Sequence, residues 1–188
     1  MAITEMLALG AVVVGGLIVM SIYNRLVALN LRCTQASSDI DVQLKQRHDL
    51  IPNLVETVKA YAGHERGTLE AVMKARNAVV AAPTAAQAAQ AEKTLGAAIG
   101  RLMMVAEAYP DLKASTNFSE LQAELSDIEN KIAAARRYLN SAANEYNTSR
   151  AQFPSNIVAG LFGFVAREVE VVAKEHRAQV EAAPAVRF

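Results

Sequence analysis

Chemistry in this chain would have to begin with His48, His64 and His176, with nineteen Asp and Glu, and with a single cysteine, Cys33. A helical zinc site of the H-E-x-x-H type needs two imidazoles one turn apart, so that both face the same ion. Here His64-Glu65 is followed by Arg66 and Gly67, and Thr68 stands four residues after His64. Adjacent residues diverge around a helix, so His64 and Glu65 are poorly arranged for a common ligand. His48 and Asp49 precede Ile51-Pro52, where a helix-terminal or inter-helix hydrogen bond is the simpler use of either, and His176 follows Glu175 in a charged, solvated stretch. Glu120, Glu124, Asp127 and Glu129 read as a solvated helical face. A di-metal helical bundle would need Glu-x-x-His on two helices, and the chain has none.

Cys33 lacks a histidine, a second cysteine or a basic cluster at a catalytic spacing, and reads as a small apolar residue. One cysteine also excludes an internal disulfide. There is no glycine-rich nucleotide loop, G-x-S-x-G elbow or Cys-x-x-Cys. These residues predict a non-enzymatic protein with no catalytic residue, no cofactor and no metal. An enzyme, or enzyme subunit, with an unrecognised cleft stands as the alternative.

The elements that would position these groups are helical. Between Glu5 and Arg25 lie 19 uncharged residues, MLALGAVVVGGLIVMSIYN. At about 1.5 Å per residue they reach roughly 28 Å, the hydrocarbon thickness of a bilayer. Glu5 on one side and Tyr23 and Arg25 on the other form the flanks of a retained membrane span, with the ring and guanidinium at headgroup depth. A cleaved signal peptide would start with a basic stretch and end at a small-x-small site, and neither is present. Arg25 and Arg32 following the span place the body of the protein in the cytoplasm by the positive-inside bias.

Beyond Arg25 the apolar residues recur at three and four. Ile40, Leu44, Arg47 (through its aliphatic stem), Ile51, Leu54 and Val58 form one stripe, with Pro52 predicted to kink the helix or restart it. Gly63 and Gly67 weaken the run around His64, after which Leu69, Val72, Arg76 and Val79 resume it. Residues 81–84 read as a loop and the helix after them, with Pro83 suited to a first turn, extends to about Ala108 before Pro110 stops it. On that helix Gly96 and Gly100 would let a neighbour approach closely. Phe118, Leu121, Leu125, Ile128, Ile132, Ala135, Leu139, Ala142 and Tyr146 then sustain a stripe to about Arg150, capped at Asn117 or Ser119. Pro154 opens a last apolar segment, Ile157 to Ala166, capped by Ser155 or Asn156 and too short to cross a bilayer. Burial is its first reading, and a membrane surface or a partner's groove the other. Past Arg167, Val169, Val172 and Val180 are sparsely spaced.

The resulting expectation is an all-α fold: an N-terminal transmembrane helix followed by an elongated antiparallel bundle of long helices. Its divisions are a flank at 1–5, the span at 6–24, a helical domain at 25–181 and a short tail at 182–188. Nineteen basic residues offset nineteen acidic ones, and each region is mixed in sign. That argues against a nucleic-acid partner, which would want a basic stripe.

The stretch IDVQLKQRHDLIPNLVETVKAYAGHERGTLEAVMKAR, 40–76, resembles the signature region of the LemA family. The similarity continues through YPDLKA at 109–114, ENKIAAARR at 129–137, EYN at 145–147 and FPSNIVAGLFGF at 153–164, and includes YNRLV at 23–27 after the apolar segment. Ser37 departs from the tryptophan that relatives commonly carry before the IDVQL segment. The resemblance implies a bacterial, single-pass protein of the cell (inner) membrane with a bundle of long helices. It implies no settled reaction, although some relatives are associated with magnetosome membrane formation. In the first family-like stretch the apolar residues specify packing, and His48, Asn53, His64 and Glu65 are the polar residues of a partner surface. In the last, Phe153, Phe162 and Phe164 are its apolar anchors. The expected role is to bind a protein partner, still unidentified, or to organise a membrane assembly. Self-association and a lipid-contacting or membrane-shaping module remain open beside it.

Overall fold

The structure is a computed structural model that describes residues 2–168. Every element among them is helical: α1 (Ala2–Tyr61), α2 (Arg66–Val80), α3 (Ala85–Glu107), α4 (Pro110–Lys113), α5 (Thr116–Ala151) and α6 (Ser155–Leu161). The all-α expectation, with a leading apolar helix, holds. The sparse valines Val169, Val172 and Val180, His176, the domain limit at 181 and the tail at 182–188 lie outside the described residues.

The first part of α1 has no protein to bury it. Ile3, Met6, Leu7, Leu9, Val12, Val13, Val14, Leu17, Ile18, Val19 and Met20 are all exposed, and burial begins at Leu26, directly after Arg25. Among the described helices α1 alone is long and apolar enough to cross a membrane. An apolar surface of this size is stable only in lipid. The chain is therefore membrane-anchored through α1.

Pro52 neither breaks α1 nor restarts it. A proline inside a helix has no N–H to give the carbonyl four residues earlier, which here is that of His48. The Arg76 side chain of α2 takes up that carbonyl instead, its Nε donating to His48 O at 3.4 Å. The helix ends at Tyr61, and the turn through Gly63 leads into α2, whose first amides, Thr68 N and Leu69 N, donate to Glu65 O.

The connection at 81–84 is as expected, but Pro83 precedes the first turn of α3. The cap is Thr84, whose hydroxyl oxygen accepts from Gln87 N at 3.3 Å and donates to Gln87 Oε1 at 2.9 Å. The cap thus satisfies the Gln87 amide, and its hydroxyl bonds the side chain of the third helical residue. Pro110 lies past the end of α3 and itself occupies the first turn of α4, where a missing N–H costs nothing. Asn117 and Ser119 fall inside α5 and cap nothing. At the other end, Pro154 holds the cap position of α6, with no side-chain hydrogen bond from Ser155 or Asn156. The face of Gly96 and Gly100 meets open space and brings no helix close.

The chain forms two compact units. One comprises residues 39–134. Ile51, Leu54 and Val58 of α1, Val72 of α2, Leu95 and Leu102 of α3, Leu112 of α4, and Phe118 and Leu125 of α5 make its core. α2 and α3, joined by the short capped loop, pack as a helical hairpin. Each fully buried leucine or isoleucine contributes about 1.5–3 kcal/mol. The other unit runs from the N-terminus to Ser38 and resumes at Ala135. Its core is Leu29, Cys33, Ala142, Ala143 and Tyr146, with Val158 and Ala159 of α6 also buried.

Candidate functional site

In the unit of residues 39–134 the strongest charges are spent on each other. Arg47 sits on the buried stripe of α1 with its side chain 7% exposed, and Glu92 of α3 is 11% exposed. Arg47 Nη2 lies 3.0 Å from Glu92 Oε2, and Arg47 Nη1 donates to Glu129 Oε1 of α5 at 2.7 Å. His48 Nε2 meets Glu92 Oε1 at 2.5 Å. One guanidinium thus joins three helices, as its planar fork of five donors permits. Both of Arg47's partners are far away in sequence. Asp49 does pair locally, with Lys45 at 2.8 Å, and that bond holds its exposed carboxyl below the usual carboxylate range.

His48, half-buried, is thus engaged within this unit. The other polar candidates remain at the surface. Asn53 and His64 are exposed, and Glu65 is half-buried and accepts from the Tyr109 hydroxyl at 3.5 Å. Near them in sequence is an open groove of about 690 Å³ lined by Val55, Glu56, Lys59, Gly63, Arg66, Leu69, Glu70 and Met73, with none of the three in its lining. Asn53 is one turn from Glu56 on the same helical face, while His64 and Glu65 adjoin Gly63 and Arg66. Val55, Leu69 and Met73 supply an apolar floor, and Glu56, Lys59, Arg66 and Glu70 supply a rim of both signs. Among the described residues no group of three or more His, Cys, Asp or Glu is placed to hold a metal ion.

The aromatic candidates belong to the other unit. Phe162 and Phe164 present edges to Tyr23, with ring centroids 4.9 Å and 5.6 Å away. Phe153 touches neither ring and is 79% exposed. The chain after α6 is held by polar ties that the sequence reading missed. Tyr146 Oη donates to Val165 O at 2.8 Å, and Arg150 Nη1 donates to Phe164 O at 3.3 Å. The Arg167 amide donates to Asn147 Oδ1 at 2.9 Å while Asn147 Nδ2 returns a bond to Arg167 O at 2.8 Å. The Arg167 guanidinium reaches Asn30 Oδ1 at 2.8 Å and Thr34 Oγ1 at 3.1 Å. Beneath these ties Cys33 is buried, as expected, and burial pushes its thiol above the ordinary value; burial likewise raises the Tyr146 phenol. Both favour the neutral form, so Cys33 is not an activated nucleophile. Of the anchor flanks, Tyr23 and Arg25 stand beside the level at which burial starts, and Glu5 lies in the exposed first turn of α1.

The signal for Glu92 was present in the sequence. It lies three residues before Leu95 on the stripe Leu95, Ile99 and Leu102, as Arg47 lies on the stripe of α1. Opposite charges on two otherwise apolar stripes must find each other when those stripes pack.

Comparison with known proteins adds a family and three relatives. Residues 36–188 match the family model described as "LemA family". Magnetosome protein MamQ 1 and Magnetosome protein MamQ 2 of Paramagnetospirillum magneticum are each 25% identical to this chain over 168 residues. Magnetosome protein MamQ of Magnetospirillum gryphiswaldense is 24% identical over the same length. In all three the match covers 76% of this chain and 62% of the relative, so the chain spans about three-fifths of the length of the curated relatives it matches.

Proposed function

This chain belongs to the LemA family, and we propose that it is a non-enzymatic membrane protein that uses the groove between the end of α1 and α2 to hold a partner protein. The groove itself carries the proposal. Its apolar floor and mixed-sign rim suit one amphipathic helix, which would lay Leu- or Met-like side chains on Val55, Leu69 and Met73 and charges of either sign at the edges. The engagement of His48 with Glu92 and Arg47 supports the non-enzymatic reading, because it commits three largely buried ionisable groups to holding helices together. The relatives are named as magnetosome proteins, and a role for this chain in a related assembly is part of the proposal. We place the body on the cytoplasmic side of a bacterial inner membrane, on the strength of Arg25 and Arg32 after the span.

The test is site-specific photo-crosslinking of the full chain in native membranes. A reactive residue at Met73 should give a discrete adduct that is absent when the residue is placed at exposed Glu124 on α5. Lys59→Glu together with Arg66→Glu should remove it by reversing two rim charges. Equal labelling at positions 73 and 124, or an adduct indifferent to both reversals, would refute the groove. An adduct between two copies of this chain would identify the partner as itself.

A further inference from the structure

We propose that the turn from Phe153 to Val165 is a second membrane contact, seated in the headgroup-level zone of the same bilayer that α1 crosses. The reasoning starts from depth. Tyr23 ends the apolar run of α1, and Asn24 and Arg25 follow it, so its ring marks the boundary between hydrocarbon and headgroups. Phe162 and Phe164 both pack on that ring. The turn that carries them is therefore held at the boundary, whichever way the span is oriented.

The side chains it turns outward are those that a boundary accepts. Phe153 is 79% exposed, Leu161 76% and Val165 75%, and Ile157 and Phe162 are more than half exposed. No charged residue occurs from Phe153 to Ala166, while Arg150 and Arg167 bracket the segment. Arg150 ties to Phe164 O within the turn, and Arg167 ties to Asn30, seven residues beyond Tyr23 and so about 10 Å along α1. Apolar tip and basic base have the polarity of an interfacial element. Within Ile157 to Ala166, Val158 and Ala159 are buried and Phe164 is half-buried against the core of this unit, so the expected burial holds for part of the segment and fails for Ile157, Leu161, Phe162 and Val165.

The backbone keeps the turn in this attitude. Gly163 has φ of 72°, a left-handed value, and Phe164 N donates to Ala159 O at 2.9 Å. This is the glycine-ended helix terminus in which the residue after the glycine bonds back to the third residue from the helix end. It reverses the chain within one residue and delivers Phe162 and Phe164 to the same ring. A protein partner could cover exposed apolar residues elsewhere, but here they adjoin the end of a span that is already in lipid. That continuity makes lipid the occupant.

The chain has no tryptophan, so an introduced one reports its own surroundings. Full-length Phe153→Trp, Leu161→Trp and Ile157→Trp variants, each checked for native helicity by circular dichroism, are reconstituted into phosphatidylcholine vesicles containing lipids brominated near the headgroup. The expected result is blue-shifted emission and several-fold stronger quenching than for Tyr138→Trp, an exposed control on α5 thirteen residues before that helix ends. Quenching no stronger than in the control at all three positions overturns the proposal, and leaves the partner groove of the other unit untouched. Three surface positions are used so that one misfolded variant does not decide the outcome.

Discussion

Arg47→Met is the sharpest perturbation of the body. It keeps most of the aliphatic stem but deletes the guanidinium that meets Glu92 at 3.0 Å and Glu129 at 2.7 Å. The two arms should differ in worth. Glu92 is 11% exposed, and breaking a buried pair by removing one partner costs roughly 3–5 kcal/mol, because the remaining charge is still desolvated. Glu129 is 53% exposed, so its arm is screened by water and worth at most about 1 kcal/mol. For a chain of this size each kcal/mol moves the melting point by about 2–4 °C. Arg47→Met should therefore lower Tm by roughly 6–20 °C, and Glu129→Gln by no more than about 4 °C. Adding Glu92→Leu to Arg47→Met removes the stranded charge and should restore at least half of the loss. The assay is thermal unfolding of the full-length protein in detergent, followed by circular dichroism and arranged as a double-mutant cycle. If Arg47→Met costs no more than Glu129→Gln, or if the double variant is additive, the buried pair does not hold these helices and the reasoning fails.

Three further outcomes follow from the unit that carries the anchor. Tyr146→Phe removes the 2.8 Å bond to Val165 O and should cost about 1 kcal/mol, readable as a lower Tm without loss of helicity. Gly163→Ala places a side chain at φ of 72° and should cost about 1–2 kcal/mol, whereas Gly160→Ala, where a Cβ meets open space, should be neutral or stabilising. Cys33 should resist alkylation until the protein unfolds, and the stability it shares with Tyr146 should fall at alkaline pH. Their folded pKa values are raised by burial above ordinary values of 9.0 and 10.0, so the unfolded chain loses these protons first, and stability drops as pH climbs past about 9. Cys33→Ala and Tyr146→Phe should each flatten that decline, and a native Tm constant from pH 8 to pH 10.5 would contradict it.

Periodicity made the helices legible because a helix must bury one face. The stripe from Ile40 to Val58 and that from Phe118 to Tyr146 both line cores, with Leu44, Leu121 and Leu139 half-buried. Local signals near prolines were less decisive. Pro52 was open to a kink, and it is accommodated because Arg76, twenty-four residues away, answers the carbonyl it frees. The membrane span was readable from charge alone. The site was harder. Asn53 and His64 are exposed, while His48 pairs with Glu92, a residue whose place on the α3 stripe carried the clue. The contact of Phe162 and Phe164 with Tyr23 joins residues about 140 apart, and no local pattern encodes it.

The order of the two units along the sequence sets a timetable for synthesis. Residues 39–134 are contiguous and can close upon themselves soon after they leave the ribosome. The anchor-bearing unit cannot, since Leu29, Cys33 and Asn30 must wait for Tyr146 and Arg167. At about 5–20 residues per second, the 129 residues from Asp39 to Arg167 take roughly 6–26 s to make. Throughout that interval the stretch of α1 just outside the bilayer shows a bare apolar strip, and the nascent chain has a window in which a chaperone or a neighbouring copy can reach it.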